Sequence, residues 1–422
     1  MSFYQRVSES LRRVAAFGRA SAIFVLVAIA TAWTNPPVHC ATVVIGEDGG
    51  PVIVAGSLQI YPSFVMAIEH NSNLLYLDTE KIPTWARSIA PGIAIELPFS
   101  HSLFRLGYTL STRNYGLSKS QWINTQTAQF DLSLGFGNGA AVVIHDDFHL
   151  GVLDTQVGDP GGELPFRGQR YQANFAEMSV GHKRTDSHEV SLRVRSISTT
   201  YLKPFVTPSF DQAAGSIAAV GLWRVQPRAW VQWEVEAGTA QLTRELSTVG
   251  ATEQRTEHEF GLLLGTGWEL SNDTVLQFRV GPKRASYDAA VPSNFRGLVG
   301  SLVAQNASAS GTQWSVGLAR DVFASAYGLN NYFVSQLVTV RAERPRGTTL
   351  RFGGSMAYYL NDYPTDPRQR SDRIGGVETW MGIRQGLWVE WRVFVRYDQR
   401  SSTIPGLDYT AFRFGAGLVV GR

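Results

Sequence analysis

The residues of this chain that most resemble metal ligands are His145, Asp147 and His149, in the run IHDDFH. If this run forms a strand, the three side chains share one face, because successive residues of a strand point to opposite sides. Two imidazoles and a carboxylate are ligands that a transition metal accepts. Alternate residues of a strand are about 6.6–7 Å apart, which is wide for three ligands of one ion. We therefore interpret the trio as a hydrated polar cluster, and we predict no bound metal and no cofactor.

A second candidate for chemistry is the run His70-Asn71-Ser72-Asn73. Here His70 could act as the base that activates the Ser72 hydroxyl in acyl hydrolysis. The run resembles the His-x-Ser-Asn element of outer-membrane lipid A deacylases, which implies a lipid-modifying hydrolase as one alternative. Such enzymes also need a carboxylate that orients the histidine, and the sequence places neither Glu69 nor any other acid in that role. The simpler interpretation is a polar cluster where a strand enters a loop, so we predict that the protein is not an enzyme.

The composition is compatible with one large β domain. The chain has 422 residues and 41 glycines, and only 17% of its residues are charged. Beyond the N-terminus no apolar run reaches the roughly 18 residues of a membrane helix, which excludes helical spans there. The mean hydropathy of -0.08 still permits a membrane barrel, because polar and apolar residues alternate in its strands.

The first 40 residues predict an export signal. They begin with a positive region and continue into the apolar core Ala20–Trp33, with cleavage after Ala32 or after Cys40. These residues hold four arginines and one glutamate, a net charge of +3 that equals the charge of the whole chain. The exported part would therefore be near neutral, with no basic tract for nucleic acid. Because Cys40 is the only cysteine, the exported part has no disulfide and no cysteine metal site.

The clearest strand signal is Leu387–Arg400, LWVEWRVFVRYDQR. Glu390, Arg392 and Arg396 lie on one face of this segment. The other face is apolar at every second residue: Leu387, Val389, Trp391, Val393, Val395 and Tyr397. An aromatic-rich apolar face backed by charges is typical of a strand with lipid on one side and water on the other.

About 18 segments of this kind follow one another to the C-terminus, and tight turns alternate with longer links. One turn contains Asn138-Gly139, a strong hairpin signal. The even count and the absence of a helical period predict an all-β, transmembrane, up-and-down antiparallel barrel. The alternative is a soluble β-sandwich or propeller. The predicted organisation is a signal peptide over 1–40, a short periplasmic lead over 41–56 and the barrel over 57–422.

A barrel of this size is too wide for side chains to fill, so its inner face should border water. Charged residues on the alternate faces are the candidates for a pore lining: Arg193, Arg195, Glu234, Glu236, Arg279, Arg351, Glu390, Arg392 and Arg396. Aromatic residues near strand ends are interpreted as membrane girdles rather than as sugar-stacking platforms: Trp122, Tyr171, Tyr201, Tyr287, Tyr332 and Tyr397.

The first predicted strand runs through Tyr61-Pro62-Ser63-Phe64 into Glu69-His70-Asn71-Ser72-Asn73. With the export signal and the repeated hairpins over 57–422, the chain resembles the β-barrel porin-2 type of bacterial outer-membrane protein, which includes barrels encoded with exopolysaccharide systems. The resemblance implies an outer-membrane pore that translocates an exopolysaccharide, with a general diffusion porin as the alternative. The implied partners are outer-membrane lipid, the barrel-assembly machinery, the polysaccharide and a periplasmic export protein.

Overall fold

A computed structural model describes residues 53–55, 57–116, 121–152, 170–202, 211–245, 252–288, 294–325, 330–386 and 388–421. The predicted signal peptide and most of the predicted lead lie outside these ranges. Within them, no helix is long and apolar enough to cross a membrane.

The described residues form strands joined alternately by tight turns and by longer links. The strands are β1 (Ile53–Ala55), β2 (Leu58–Asn71), β3 (Thr84–Phe99), β4 (Ser102–Tyr115), β5 (Gln121–Gly135), β6 (Ala140–Val152), β7 (Arg170–Thr185), β8 (His188–Leu202), β9 (Asp211–Gln226), β10 (Ala229–Glu245), β11 (Thr252–Glu269), β12 (Thr274–Asp288), β13 (Asn294–Ala307), β14 (Gln313–Ala324), β15 (Tyr332–Arg346), β16 (Leu350–Asp362), β17 (Ser371–Gln385), β18 (Val389–Ser402) and β19 (Tyr409–Val420).

The strands β2 to β19 form one closed antiparallel sheet. Each pairs with the next along the chain, and β19 pairs back onto β2 from Phe64↔Val420 to Asn71↔Arg413. The predicted up-and-down barrel of 18 strands is confirmed, and each predicted segment coincides with one of β2–β19. The short β1 falls in the segment predicted as a lead, and it pairs with Leu58–Ile60 on β2. It covers the part of the β2 edge that lies beyond the end of β19.

The two faces of the wall differ in the way that the sequence predicts for β18. Trp391 and Val393 are 52% and 47% exposed, whereas Glu390, the residue before Trp391, points to the other face and is 3% exposed. Exposed apolar side chains continue around the outer face from Met66 on β2 to Phe414 on β19. A soluble monomer rarely exposes a contiguous apolar surface beyond a few hundred Å². This outer surface is therefore suited to hydrocarbon.

The wall departs from a simple cylinder where β14 and β15 approach their link. The ladder between β13 and β14 stops at Gly300↔Arg320, although β14 and β15 stay paired to their ends. By alternation Val322, Tyr332 and Val334 belong to the outer face, on which Arg320 is exposed. They are nevertheless only 4%, 7% and 7% exposed.

These outer-face side chains pack against the inner face of the neighbouring wall. They form one apolar cluster with residues of β12 and β13: Ala285, Tyr287, Phe295 and Val299. Farther along β14, Ala324 packs against Ala240 and Leu242 of β10. The ends of β14 and β15 therefore lie inside the barrel. We call this displaced part, residues 321–324 and 330–334, the inward fold.

Polar contacts hold the inward fold in place. Arg255 on β11 donates to the carbonyl of Asn330 at 2.5 Å, and the Asn330 amide donates to Asp366 at 3.2 Å. Asp366 lies in the link between β16 and β17. Burial raises the pKa of its carboxyl, but hydrogen bonds from Arg368 and Asn330 outweigh burial and lower the pKa overall. Because the pKa is lowered, the hydrogen bonds to the ionised Asp366 carboxylate stabilise the fold at neutral pH. This stabilisation is lost as the pH falls through the pKa that Asp366 has in the folded protein.

The predicted aromatic girdle is wrong for most of its members. Trp122 and Tyr397 are 57% and 42% exposed on the outer face. Four others are 2–8% exposed and lie inside: Tyr171, Tyr201, Tyr287 and Tyr332. Tyr287 stacks on Tyr332 in the inward fold, with ring centroids 5.4 Å apart. Rings near the long links thus fill part of the interior instead of facing lipid.

Val393 lies in the middle of the outer apolar row of β18 and tests the assignment of the faces. We expect Val393→Arg to lower the free energy of unfolding in lipid by about 2–4 kcal/mol, because an arginine near the bilayer midplane must leave water. Urea unfolding in phospholipid vesicles measures this. The control is Gln129→Arg, since Gln129 lies on the inner face opposite Asp147 and Gly107. Equal losses in the two variants would contradict the assignment.

Candidate functional site: the charged interior

Opposite charges from neighbouring strands meet on the inner face of the barrel. Glu234 on β10 is the centre of one group, and it is 6% exposed. Arg193 on β8 donates to it, and Arg279 on β12 approaches it at 3.3 Å. Arg279 also donates to the Ser301 hydroxyl at 2.9 Å. One carboxylate therefore compensates two guanidinium groups.

A second group lies directly beside the first on the same strands. Arg195 on β8 donates to Glu177 on β7 at 2.5 Å and approaches Glu236 on β10 within 3.8 Å. The Ser216 hydroxyl donates to Glu236 at 2.9 Å. In this group two carboxylates surround one guanidinium. The two groups together hold three arginines and three glutamates, so their charges cancel.

A third group spans β15 to β18. Glu390 accepts from Arg392 at 2.6 Å and from Arg351 at 3.3 Å, and Arg351 also pairs with Glu343. The Arg392 guanidinium lies over the Trp380 ring, 4.1 Å from its centroid. This is a cation–π contact, which restrains the guanidinium in addition to its ion pair. The group holds two arginines and two glutamates, so it is also neutral.

A fourth group lies closer to the long links, on β17 to β19. Arg396 contacts Asp398 at 2.8 Å and Glu378 at 3.4 Å. Arg413 contacts the same Asp398 at 3.0 Å. Two arginines again meet two carboxylates. Pairing on this scale inside a wide barrel makes the inner face polar without giving it a strong charge of one sign.

The structure places all nine predicted lining residues on the inner face, each in contact with an opposite charge. It also brings in partners that the sequence reasoning missed: Glu177, Glu343, Glu378, Asp398 and Arg413. The alternation that identifies Arg193 also places Glu177 on the inner face. The choice of partner, however, depends on the register between strands, which the sequence does not display.

A further missed group closes the wall at the long-link end of β17 and β18. Asp372 accepts from Arg370 at 2.7 Å and from Arg400 at 2.6 Å. All three residues are at most 3% exposed. The Arg370 guanidinium also lies 3.9 Å from the centroid of Tyr363. Unlike the groups above, this one is packed into the wall and its link, so its role is structural.

The predicted polar cluster on β6 is connected through hydrogen bonds to β5. The His145 ring contacts Asp131 at 2.6 Å through Nδ1 and Asp147 at 2.9 Å through Nε2. The His149 ring contacts the Thr127 hydroxyl at 3.4 Å instead. In the described part of the chain no group of three or more His, Cys, Asp or Glu residues is arranged to hold a metal ion. The cluster is a further polar patch of the inner face.

The candidate pair His70 and Ser72 lies where β2 meets β19. The His70 ring packs against Trp85 and Phe414, with centroids 5.1 and 5.2 Å away. The Ser72 hydroxyl accepts the backbone N–H of Phe412 at 2.8 Å. Among the described residues no hydrogen bond joins His70 to Ser72, and the hydroxyl instead extends the pairing of the two strands.

No protein-family model matches the chain, and no curated protein matches it in sequence. In structure the chain is similar to Pseudomonas aeruginosa OccK2 (OpdF), with a TM-score of 0.44 and 10% identity over 86% of this chain and 97% of that one. It is similar to Acinetobacter baumannii OccAB4 with a TM-score of 0.43 and 10% identity, over 85% and 97%. It is similar to the FrpB iron transporter from Neisseria meningitidis with a TM-score of 0.46 and 10% identity, over 82% of this chain and 62% of the transporter. Function must be argued from the chain's own residues.

The buried group around Asp372 gives a test of the packing at the long-link end. We expect Asp372→Asn to lower the free energy of unfolding by roughly 3–5 kcal/mol, because two buried arginines would lose a carboxylate that both of them contact. Urea unfolding in vesicles measures the loss. The control is Asp186→Asn, which removes an exposed carboxylate paired with Lys183 in the turn between β7 and β8. We expect no measurable change there, and an equally small effect at Asp372 would contradict the buried group.

Proposed function

We propose that this protein is a passive pore of the bacterial outer membrane for hydrated solutes of little net charge. The observation that carries the proposal is the pairing of charges on the inner face of a barrel with an apolar outer surface. Pores with a ring of one sign select ions of the other sign. Here the four groups of paired charges described above together hold seven arginines and seven carboxylates. Such a lining favours polar passengers without strong selection by charge.

The inward fold adds selection by size. It occupies the interior near β9 to β13 with an apolar cluster, and we infer that it narrows the opening at the long-link end. Long links of outer-membrane barrels face the outside of the cell. The narrow part of the pore therefore belongs at the outer mouth, and the paired charges line the wider part.

The lining limits the class of passenger. A hydrated polysaccharide and a small sugar both suit a polar lining of low net charge. We propose exopolysaccharide as the specific cargo on the resemblance to the β-barrel porin-2 type, with small solutes as the alternative. Export also requires delivery to the inner mouth, so a periplasmic export protein should co-purify with the barrel.

Deleting the gene tests the cargo. Loss of released polysaccharide, with unchanged uptake of small sugars, is the expected result for an exporter. Normal polysaccharide together with rapid swelling of liposomes that contain the purified barrel would show a general porin instead. Lipid analysis of a Ser72→Ala strain covers the hydrolase alternative, and we expect an unchanged lipid profile because that hydroxyl accepts the Phe412 amide.

Glu390→Gln tests whether the paired charges line the conducting path. The change leaves Arg392 without the carboxylate 2.6 Å away and weakens the compensation of Arg351. We expect the pore to shift toward anions, which a reversal potential measured across a KCl gradient in a planar bilayer reports. Asp186→Asn makes the same change of charge in an exposed turn and should leave the potential unaltered. Identical potentials for both variants would remove Glu390 from the lining.

A further inference from the structure

Two arginines on the outer face take no part in the ion pairs of the inner face. Arg284 on β12 and Arg296 on β13 are directly opposite each other in the ladder, and both side chains are exposed. Opposed residues of neighbouring strands stand about 4.5–5.5 Å apart, so two like charges there repel. Within the described ranges neither arginine contacts an acid, whereas the inner-face arginines discussed above all do. The sequence of the link between these strands, AAVPS, contains no acid either.

Arg320 on β14 adds a third cation beside this pair. Its guanidinium donates to the carbonyl of Leu298 at 3.1 Å, two residues along β13 from Arg296. That carbonyl lies beyond the last rung of the ladder, Gly300↔Arg320, where the inward fold carries β14 away from β13. Leu298 itself is 58% exposed. The outer surface here thus has a break in the wall with cations on both sides of it and an apolar side chain between them.

The position of the three arginines along the strands indicates what they face. They lie at the long-link end of the outer apolar surface. On the side of the tight turns, the same face of β12 to β14 is apolar: Phe278, Val280, Leu298, Val316 and Leu318. If the barrel lies in the outer membrane as proposed above, the long links face outward and this level meets the headgroups of the outer leaflet.

We propose that Arg284, Arg296 and Arg320 bind the phosphate of an anionic glycolipid in the outer leaflet. Guanidinium groups hold phosphate oxygens through two parallel hydrogen bonds. A phosphate between Arg284 and Arg296 converts their repulsion into attraction to a shared anion. The exposed Leu298 and the apolar surface below accept the acyl chains. A lipid rather than free phosphate is the ligand, because the cations border apolar surface on the side that faces the membrane.

Thermal unfolding of the full barrel in detergent, titrated with bisphosphorylated lipid A, tests this site. Lipid A should raise the Tm of the wild type. The double variant Arg284→Gln, Arg296→Gln should need about tenfold more lipid A for the same rise. Without lipid its Tm should equal or exceed that of the wild type, because the repulsion between the two arginines is gone. A weaker response to lipid A together with an equal or higher Tm in its absence distinguishes a lost site from a damaged fold. Arg320→Gln is a second variant, with a single substitution.

Arg373→Gln is the matched control. Arg373 is exposed on the outer face of β17 near the same end, opposite Leu360 and Ser401 rather than a second arginine. It should keep the response to lipid A. The proposal is overturned if phosphatidylcholine raises the Tm as much as lipid A does, if inorganic phosphate replaces it, or if the double variant responds like the control. Conductance of the double variant in bilayers without lipid A reports on the pore separately, so a failed lipid site and a failed pore give different results.

Discussion

Closure of the backbone ladder is the constraint on which the rest of the structure depends. In hydrocarbon each N–H and C=O needs a partner within the protein, so a spanning sheet cannot keep an edge. The seam between β2 and β19 shows how closely this is met. Beyond the last strand pair, the Ser72 amide donates to the Phe412 carbonyl at 2.9 Å, and the Phe412 amide donates to the Ser72 hydroxyl at 2.8 Å. At the other end of the seam β1 pairs with the exposed edge of β2. A run that resembles a catalytic element is thus engaged in closing the sheet.

Closure also decides which side chains meet water. In a closed antiparallel sheet the alternation must agree around the whole circumference. A slip of one residue in one strand would turn its charges toward the apolar outer face. The groups around Glu234 and Glu390 depend on this agreement, because Glu234 collects arginines from β8 and β12 and Glu390 collects one from β16 besides Arg392 of its own strand. Pairing lowers the cost of holding so many charges inside one wall. It also leaves a lining whose field is weak at a distance, since opposite charges a few ångströms apart cancel.

The sequence predicts the features that repeat and misses those that occur once. The period of two in Leu387–Arg400 identifies β18 and its facing, and the same rule identifies every other wall strand. Register cannot be read from one strand, so the pairing of Arg193 with Glu234, 41 residues apart, could not be predicted. Tyr287 and Tyr332 are misplaced for a related reason. A ring near a strand end suits a girdle by composition, but Tyr332 is buried because the ladder beside it stops, and no local pattern marks where a ladder stops.

That interruption has consequences on both surfaces of the wall. From Gly300↔Arg320 toward the long links, β14 no longer pairs with β13. Its side chains instead make apolar contacts with Ala285, Phe295 and Val299. Burial of apolar area, at about 25 cal/mol per Å², opposes the loss of ladder bonds whose net worth is about 1 kcal/mol each. Inside, the displaced strand ends occupy part of the interior. Outside, the same displacement uncovers the Leu298 carbonyl that Arg320 reaches. The apolar packing inside the barrel and the arrangement of the outer arginines are therefore two results of one local change in pairing, and a substitution in the apolar cluster would act on both.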